Sequence, residues 1–248
     1  VALSLGLRVV EIPINDNYKV TSTELRQTIA TRASSNLPPI NGLIMSSPSN
    51  PTGAMLTAPE LSGVVSACKE NSIRFLSDEI YHGIVYPPTT AEHTAAALSD
   101  DVIVINSFSK YYSMSGWRLG WMVVPPDLLP SINALQQNLF INAPTISQRC
   151  AMECWTEETD AILKQNVREY AAARSVILKK LTEMGLTDSA PSNGAFYIYL
   201  DLTKHLHPPA DLTTVTLCQM LLAESHVAFA DGRDFEDPDS DRGARRLR

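Results

Sequence analysis

Three short apolar runs, each followed at once by a polar cluster, constrain the fold of this chain most strongly. Residues 42–46, 73–77 and 102–106 have the length and apolar content of buried strands, and a helical segment, 57–71, separates the first two. Strands alternating with helices predict an α/β architecture with a mostly parallel central sheet flanked by helices. Ligands of such sheets bind at the carboxyl ends of the strands, where all three polar clusters fall.

The rest of the chain contains further predicted elements. Strands are expected at 6–14, 118–124, 195–202 and 226–230, and helices at 21–33, 126–139, 145–155, 157–184 and 213–224. The pattern of elements and the loop chemistry change after Pro125. We therefore predict a large domain over 1–155 and a smaller α+β domain over 156–248.

Composition limits the classes of function. The chain has 248 residues and is 44% hydrophobic, which is enough to form the core of one large or two small domains. The net charge of −7 argues against a nucleic-acid partner, and no apolar run approaches the roughly 20 residues that cross a bilayer. The four cysteines have the spacing of neither a disulfide framework nor a metal site, so we expect free thiols, no metal and a cytoplasmic location.

The segment richest in reactive and phosphate-binding side chains follows the third apolar run. Ser107, Ser109 and Lys110 stand just beyond it, and Arg118 follows eight residues after the lysine. A lysine withdrawn from water is a usable nucleophile and base that forms Schiff bases with carbonyl cofactors. Serine hydroxyls and a guanidinium bind phosphate. The segment therefore indicates a pocket for a phosphorylated aldehyde, and a solvated surface loop is the alternative interpretation.

Two further clusters add a carboxylate, a phenol and an amide. Asp78 directly follows the second run and Tyr81 comes three residues later. A carboxylate beside an electron-accepting cofactor would keep its ring nitrogen protonated, whereas the alternative is an aspartate that caps a helix. In the loop after the first run, Asn50 can donate to a ligand oxygen, and Asn50–Pro51 is a candidate cis peptide. An ordinary turn is the alternative there.

The ordered motifs SPSNPTG, SDEIY and SFSKYYSMSGWRLGW resemble those of the class I/II aminotransferases, enzymes of fold type I that use pyridoxal 5′-phosphate (PLP). GAFYIYLDL and ADGRDF are similar to the small domain of that family. The resemblance implies a PLP-binding large domain and transfer of an amine from an amino acid to a 2-oxo acid by a ping-pong mechanism. It also implies a homodimer.

The resemblance assigns a role to each motif residue. Lys110 would hold the cofactor as a Schiff base and then shuttle a proton, and Asp78 would keep the ring nitrogen protonated. Tyr81 and Asn50 would hydrogen-bond to the phenolic oxygen, and Asn50 would also face the substrate. The phosphate would be bound by the residues around the lysine, Ser107, Ser109 and Arg118.

The family binds the substrate α-carboxylate through an arginine near its C-terminus. In this chain the resemblance points first to Arg248 and second to Arg245. A disordered basic tail is the alternative interpretation of this segment.

The resemblance also implies that parts of the family's site are missing from this sequence. The family has a Gly/Ser/Ala turn that binds phosphate at a helix N-terminus, and an aromatic residue that stacks on the cofactor ring. Neither is found here, the first residue is not Met, and the sequence ends before the small domain should. We therefore expect this chain alone to bind PLP poorly and to transaminate little or not at all.

Two other functions remain open at this point. A PLP-dependent lyase or synthase of the same fold, such as a carbon–sulfur lyase, would use the same residues. An aminotransferase-like domain that senses PLP in a transcription regulator would follow a basic helix-turn-helix upstream of Val1. No residue in the sequence decides between them.

Overall fold

A computed structural model describes residues 3–88, 91–206, 213–236 and 241–248 and confirms the α/β class, with a parallel-rich central sheet. The sheet has four strands in the order β1-β2-β3-β4. They are β1 Gly42–Ser46, β2 Arg74–Asp78, β3 Ile103–Ser107 and β4 Gly120–Val123. β1, β2 and β3 are parallel, and β4 pairs antiparallel with β3. The four predicted strands in this part of the chain are confirmed.

Helices flank the sheet and continue after it. They are α1 Ser22–Ser34, α2 Ala58–Glu70, α3 Leu129–Leu139, α4 Thr145–Ala151, α5 Glu157–Glu183 and α6 Thr214–Ser225. α1 and α2 both begin with a capping box, in which Glu24 and Glu60 hydrogen-bond back to the cap residues Thr21 and Thr57. All the predicted helices are present, although 3-10 turns form the start of 126–139 and the end of 145–155. Within the described ranges, no helix is long and apolar enough to cross a membrane.

The main hydrophobic core lies between α1, α2 and the sheet. Leu25 of α1 and Val64 of α2 are fully buried, and Phe75 of β2 is 2% exposed. All three belong to one cluster that also contains Val104 of β3. This core fixes the three parallel strands against the helices and so holds their carboxyl ends in line.

The C-terminal part has a hydrophobic cluster of its own. β5 (Leu200–Asp201) pairs antiparallel with β6 (Arg246–Leu247). Leu200 and Leu247 pack with Leu181 from α5 in this cluster. The division into domains over 1–155 and 156–248 stays a prediction.

Three predicted strands are wrong. Residues 6–14 form no strand, and apolar side chains such as Leu7 and Val9 are at least half exposed. An alternating pattern favours an extended chain, but a strand also requires a neighbour for its backbone groups.

The other two wrong strands lie in the C-terminal part. In 195–202 only β5 is a strand, because Ala195 adopts a positive φ of 56° and turns the chain. Residues 226–230 form no strand either, although the backbone groups of Ala230 exchange two hydrogen bonds with Arg248 at 2.9 and 3.0 Å. Apart from β5, residues 195–202 and 226–230 therefore do not extend a sheet.

The loop after β1 is docked on the segment 192–194 through Gly53. Gly53 has a φ of 66°, and a Cβ there would lie 2.7 Å from the carbonyl oxygen of Gly194 and 2.9 Å from Cα of Ser192. Because both obstacles are backbone atoms, we expect Gly53→Ala to lower the free energy of unfolding by about 2–4 kcal/mol. Urea denaturation measures this. Gly116→Ala, where no heavy atom lies within 4 Å of the added Cβ, is the control and should change it by less than about 0.5 kcal/mol.

Candidate functional site

The three motif loops leave the sheet along the same edge. The parallel register pairs Ser46 with Asp78, and Asp78 with Ile105. Backbone hydrogen bonds continue past the strand ends, from the Ser47 N–H to the Asp78 carbonyl and from the Glu79 N–H to the Ile105 carbonyl. The polar clusters therefore converge at the carboxyl ends of the strands, as in other open α/β sheets.

Lys110 lies beside two aromatic rings at this edge. Its Nζ is 5.6 Å from the ring centre of Tyr81 and 5.8 Å from that of Phe196. The side chain is half-buried, and none of the described residues forms a hydrogen bond or an ion pair with its ammonium group. The loop around it is closed by the Ser115 hydroxyl, which donates to the Ser109 carbonyl at 2.7 Å. The result is a positioned amine that is available to a ligand.

Asp78 ends β2 next to this amine. Burial raises the pKa of its carboxyl group, while a hydrogen bond from the Ile80 N–H at 3.2 Å lowers it. The charge of neighbouring Glu79 raises the pKa further, and the Lys110 ammonium group lowers it. The hydrogen bond and the lysine charge do not fully offset the cost of burying this carboxylate. It is therefore suited to bind a cationic ligand atom.

Tyr81 is 2% exposed and is paired with a residue outside the three ordered motifs. Its hydroxyl oxygen lies 2.5 Å from that of Tyr197, and the two rings meet edge to face. Burial raises the pKa of Tyr81, and the Tyr197 hydroxyl raises it further. Tyr81 therefore keeps its proton and can donate it in a hydrogen bond.

Asn50 contacts Arg248 beside the ring of Tyr197. The Asn50–Pro51 peptide bond is cis, as predicted. Nη1 of Arg248 donates to Oδ1 of Asn50 at 2.9 Å. The Arg248 guanidinium lies 4.8 Å from the ring centre of Tyr197 and 4.4 Å from that of Phe235. The two arginines before it differ: Arg245 donates to the Leu206 carbonyl, and Arg246 is 7% exposed and paired with Asp201.

These contacts connect six side chains into one site. They are Asn50, Asp78, Tyr81, Lys110, Tyr197 and Arg248, and we refer to them below as the Lys110 site. Neutral donors, one carboxylate and two cations are linked by these contacts at the sheet edge. The donor set suits an aromatic aldehyde that carries a ring nitrogen and a ring oxygen.

The predicted phosphate-binding residues lie in the same loop. The Ser107 hydroxyl accepts the Ser109 N–H at 3.0 Å and donates to the Leu119 carbonyl at 3.3 Å. Arg118 has a positive φ of 52°, and its Nη1 donates to the Ser115 carbonyl at 2.8 Å. Ser115 thus links Arg118 to Ser109, but no contact joins the guanidinium directly to Lys110.

A large cleft lies elsewhere in the described part of the chain. It has a volume of about 1240 Å³ and is lined mainly by residues 7–14 and 38–45. It shares with the three ordered motifs only part of the loop after β1, and it also contains Tyr199 of GAFYIYLDL and the end of ADGRDF, but neither Lys110 nor Asp78 lines it. The size of a cleft does not mark the site, whereas the chemistry of the converging side chains does. No group of three His, Cys, Asp or Glu within the described residues could hold a metal.

The family is settled by comparison with known proteins. The sequence model of the family "Aminotransferase class I and II" matches residues 2–244, which is nearly the whole chain. This protein is a member of that family. The aminotransferase membership agrees with the order of the three motifs and with their convergence on Lys110.

Individual aminotransferases match over most of the chain. It is 38% identical over 235 residues to the valine–pyruvate aminotransferase of Mycobacterium tuberculosis, a match that covers 94% of this chain and 57% of the relative. It is 30% identical over 248 residues to the aspartate aminotransferase of Bacillus sp., with 98% and 61% covered. A crystal structure of an aminotransferase from Mycobacterium tuberculosis superposes with a TM-score of 0.89 at 37% identity, covering 99% of this chain and 60% of that one. The chain thus spans about three fifths of the length of these aminotransferases.

Sequence reasoning missed the aromatic members of the site. Tyr197, Phe196 and Phe235 stand in runs that favour strands or loops; Phe196 and Tyr197 lie in GAFYIYLDL, and Phe235 ends ADGRDF. A glycine followed by an alanine and two aromatic residues indicates a tight turn with rings beside it, and this was the available signal. Their exact partners depend on contacts over more than a hundred residues, such as Tyr81 with Tyr197.

Proposed function

We propose that this chain carries the catalytic lysine of a PLP-dependent aminotransferase, which moves an amine from an amino acid to a 2-oxo acid by a ping-pong mechanism. The observation that supports this most is the unpaired amine of Lys110, 5.6 Å from the ring of Tyr81, with Asp78 close enough for its charge to interact. Membership of the aminotransferase family supports the same reaction.

Each residue of the Lys110 site has a task in this proposal. PLP supplies a carbonyl carbon that condenses with amines and a ring that accepts electrons. Lys110 would hold this group through its amine and would move a proton at the substrate α carbon. Asp78 holds a proton on the ring nitrogen. Tyr81 and Asn50 donate hydrogen bonds to the ring oxygen, because Tyr81 stays protonated and the Asn50 amide nitrogen is not engaged with Arg248.

The cofactor phosphate and the substrate carboxylate would bind to different parts of the site. We assign the phosphate to Ser107, Ser109 and Arg118, whose loop already gathers hydroxyl and guanidinium groups. We assign the substrate α-carboxylate to Arg248, since Asn50 and two aromatic rings hold its guanidinium beside Tyr81.

A homodimer, as the resemblance implies, is also part of the proposal. Exposed apolar residues at the end of α3 and after it support this, with Phe140 at 71% and Ile141 at 79% exposed.

The test uses the longest encoded form of the protein, with the 248-residue chain beside it. Valine with pyruvate is the first pair to assay, because a relative at 38% identity is named for it. Formation of alanine that depends on both compounds supports a transaminase. Release of ammonia from one amino acid alone would identify a lyase. Binding of PLP with neither reaction would contradict an enzyme and favour a PLP sensor.

Arg248 and Arg245 can be separated as binding groups for the carboxylate. Because the charge of Arg248 would pair with the substrate in a partly dry site, Arg248→Gln should lower kcat/KM by about 10²–10³-fold. The matched variant Arg245→Gln loses only a contact with the Leu206 carbonyl, so kcat/KM should change by less than about threefold. Steady-state kinetics measure both. The reverse order of effects would move the carboxylate site to Arg245.

A further inference from the structure

Tyr197 touches both halves of the Lys110 site, one with its hydroxyl and the other with its ring. Its hydroxyl meets Tyr81 at 2.5 Å. Its ring lies 4.8 Å from the guanidinium carbon of Arg248. Tyr81 faces the cofactor side in the proposed function, and Arg248 faces the substrate side. A single tyrosine thus connects the two binding tasks.

We infer that Tyr197 is a positioning residue that orients the Tyr81 hydroxyl toward the cofactor and holds the Arg248 guanidinium ready for the substrate carboxylate. The inference rests on the proposed function and adds to it a residue outside the three motifs. The two tasks belong to different parts of the side chain, so each can be tested separately.

The hydroxyl task follows from how two phenols share one proton. Either oxygen can be the donor in the Tyr81–Tyr197 pair. When Tyr197 donates, the Tyr81 proton is free to point at a third oxygen, and the incoming hydrogen bond makes Tyr81 a stronger donor. The bond is partly buried, since Tyr81 is 2% exposed and Tyr197 is half-buried. Water therefore has little room to replace Tyr197 as the donor.

The ring task follows from the position of Arg248. Its guanidinium lies over Tyr197 and Phe235 at 4.8 and 4.4 Å, within the range of cation–π attraction. Its backbone is fixed by two hydrogen bonds to Ala230, and Nη1 is fixed by Asn50. Removing the Tyr197 ring would leave one side of the guanidinium without a contact. The Arg248 side chain would then be more mobile, and carboxylate binding would cost more conformational entropy.

Two variants separate the tasks. Tyr197→Phe removes the hydroxyl and keeps the ring, and Tyr197→Leu removes both. Tyr170→Phe is the control, because Tyr170 contacts the same aromatic group through Phe196 and no hydrogen bond joins it to Tyr81. All are made in the longest encoded form of the protein. Circular dichroism and thermal unfolding establish that each variant is folded.

The first readout is the pH titration of the visible absorbance of bound PLP. Without the Tyr197 hydroxyl, Tyr81 donates less strongly, and the cofactor oxygen then holds the nearby nitrogen proton to higher pH. We expect Tyr197→Phe to move the titration midpoint up by about 0.5 to 1 in pH and to leave KM within about twofold. An unchanged midpoint in Tyr197→Phe would overturn the hydroxyl task, and so would an equal upward shift in Tyr170→Phe.

The second readout is the dissociation constant of propanoate, an unreactive carboxylate. We expect Tyr197→Leu to weaken propanoate binding about 3- to 30-fold relative to Tyr197→Phe. Equal affinities in these two variants would overturn the ring task. Failure of the proposed function is distinguishable, because the unmodified protein would then show no visible PLP band or no amine exchange before any variant is compared.

Discussion

Replacement of Lys110 by alanine is expected to abolish covalent attachment of PLP and to lower kcat by at least about 10⁴-fold. The reason is that the proposal gives one amine two tasks, bonding to the cofactor carbon and moving a proton, and the second alone contributes about 10²–10⁴-fold. Borohydride reduction followed by peptide mass spectrometry measures the attachment. The modified peptide of the unmodified protein should contain Lys110.

Two other variants make this result interpretable. Lys110→Arg keeps a cation at the same place but forms no stable bond with the aldehyde, so it should fail in the same way as alanine. Lys204→Ala removes an exposed lysine paired with Asp188 and should attach PLP normally. If PLP were still reduced onto Lys110→Ala at a specific lysine, a different amine would be the catalytic one and the proposed site would be wrong.

Asp78→Asn is expected to lower kcat by about 10²–10³-fold, because the neutral amide cannot hold a proton on the ring nitrogen by charge. The substitution preserves the shape of the side chain and the oxygen that accepts the Ile80 N–H. A loss of activity without a loss of fold would therefore locate the defect in the charge. Steady-state kinetics at saturating PLP measure kcat.

The same variant should slightly raise the melting temperature of the PLP-free protein. Burial raises the pKa of Asp78, so its folded-state pKa lies above its unfolded-state pKa. Such a carboxyl group destabilises the fold at pH values above the folded pKa, where it is ionised in both states. The gain from asparagine should thus be largest at neutral pH and should shrink as the pH falls toward the ordinary pKa of aspartate. Thermal unfolding across this pH range measures it.

The adjacent carboxylate provides the contrast. Glu79 is 2% exposed, accepts hydrogen bonds from the Ser77 hydroxyl and the Ala95 N–H, and is paired with His82. Glu79→Gln should therefore lower the melting temperature, since it weakens contacts that are satisfied in the fold. Two neighbouring acids with opposite effects on stability would distinguish a functional carboxylate from a structural one. A lower melting temperature in Asp78→Asn would contradict this assignment.

Much of the central sheet could be predicted from the sequence. In β1, β2 and β3 an apolar run stops where hydroxyl, amide and acidic residues begin, so composition marks the carboxyl end of each strand. The parallel register then brings Asp78 and Lys110 to one edge without further information. Local signals sufficed there, because the sheet core and the capping boxes of α1 and α2 agree with them.

The small-domain side of the site could not be predicted in the same way. Residues 6–14 and 195–202 have strand-like side chains, but a strand also needs a partner, and a single sequence does not name it. Tyr197 joins Tyr81 across 116 positions of the chain. Arg248 is placed by Ala230 and Asn50, which are far from it in sequence. Such long-range contacts follow from the tertiary fold and not from local pattern.

The bond between Arg248 and Asn50 has a consequence for what the site can recognise. Because Arg248 already donates to the amide oxygen, the orientation of the Asn50 amide is set with its NH₂ group left to donate, which favours a ligand oxygen at this corner. A carboxylate that draws Arg248 toward itself would also loosen its hold on the amide. Binding of the carboxylate end of a ligand would thereby change the hydrogen bonding available to its ring end, because Asn50 contacts Arg248 and would also face the ring oxygen.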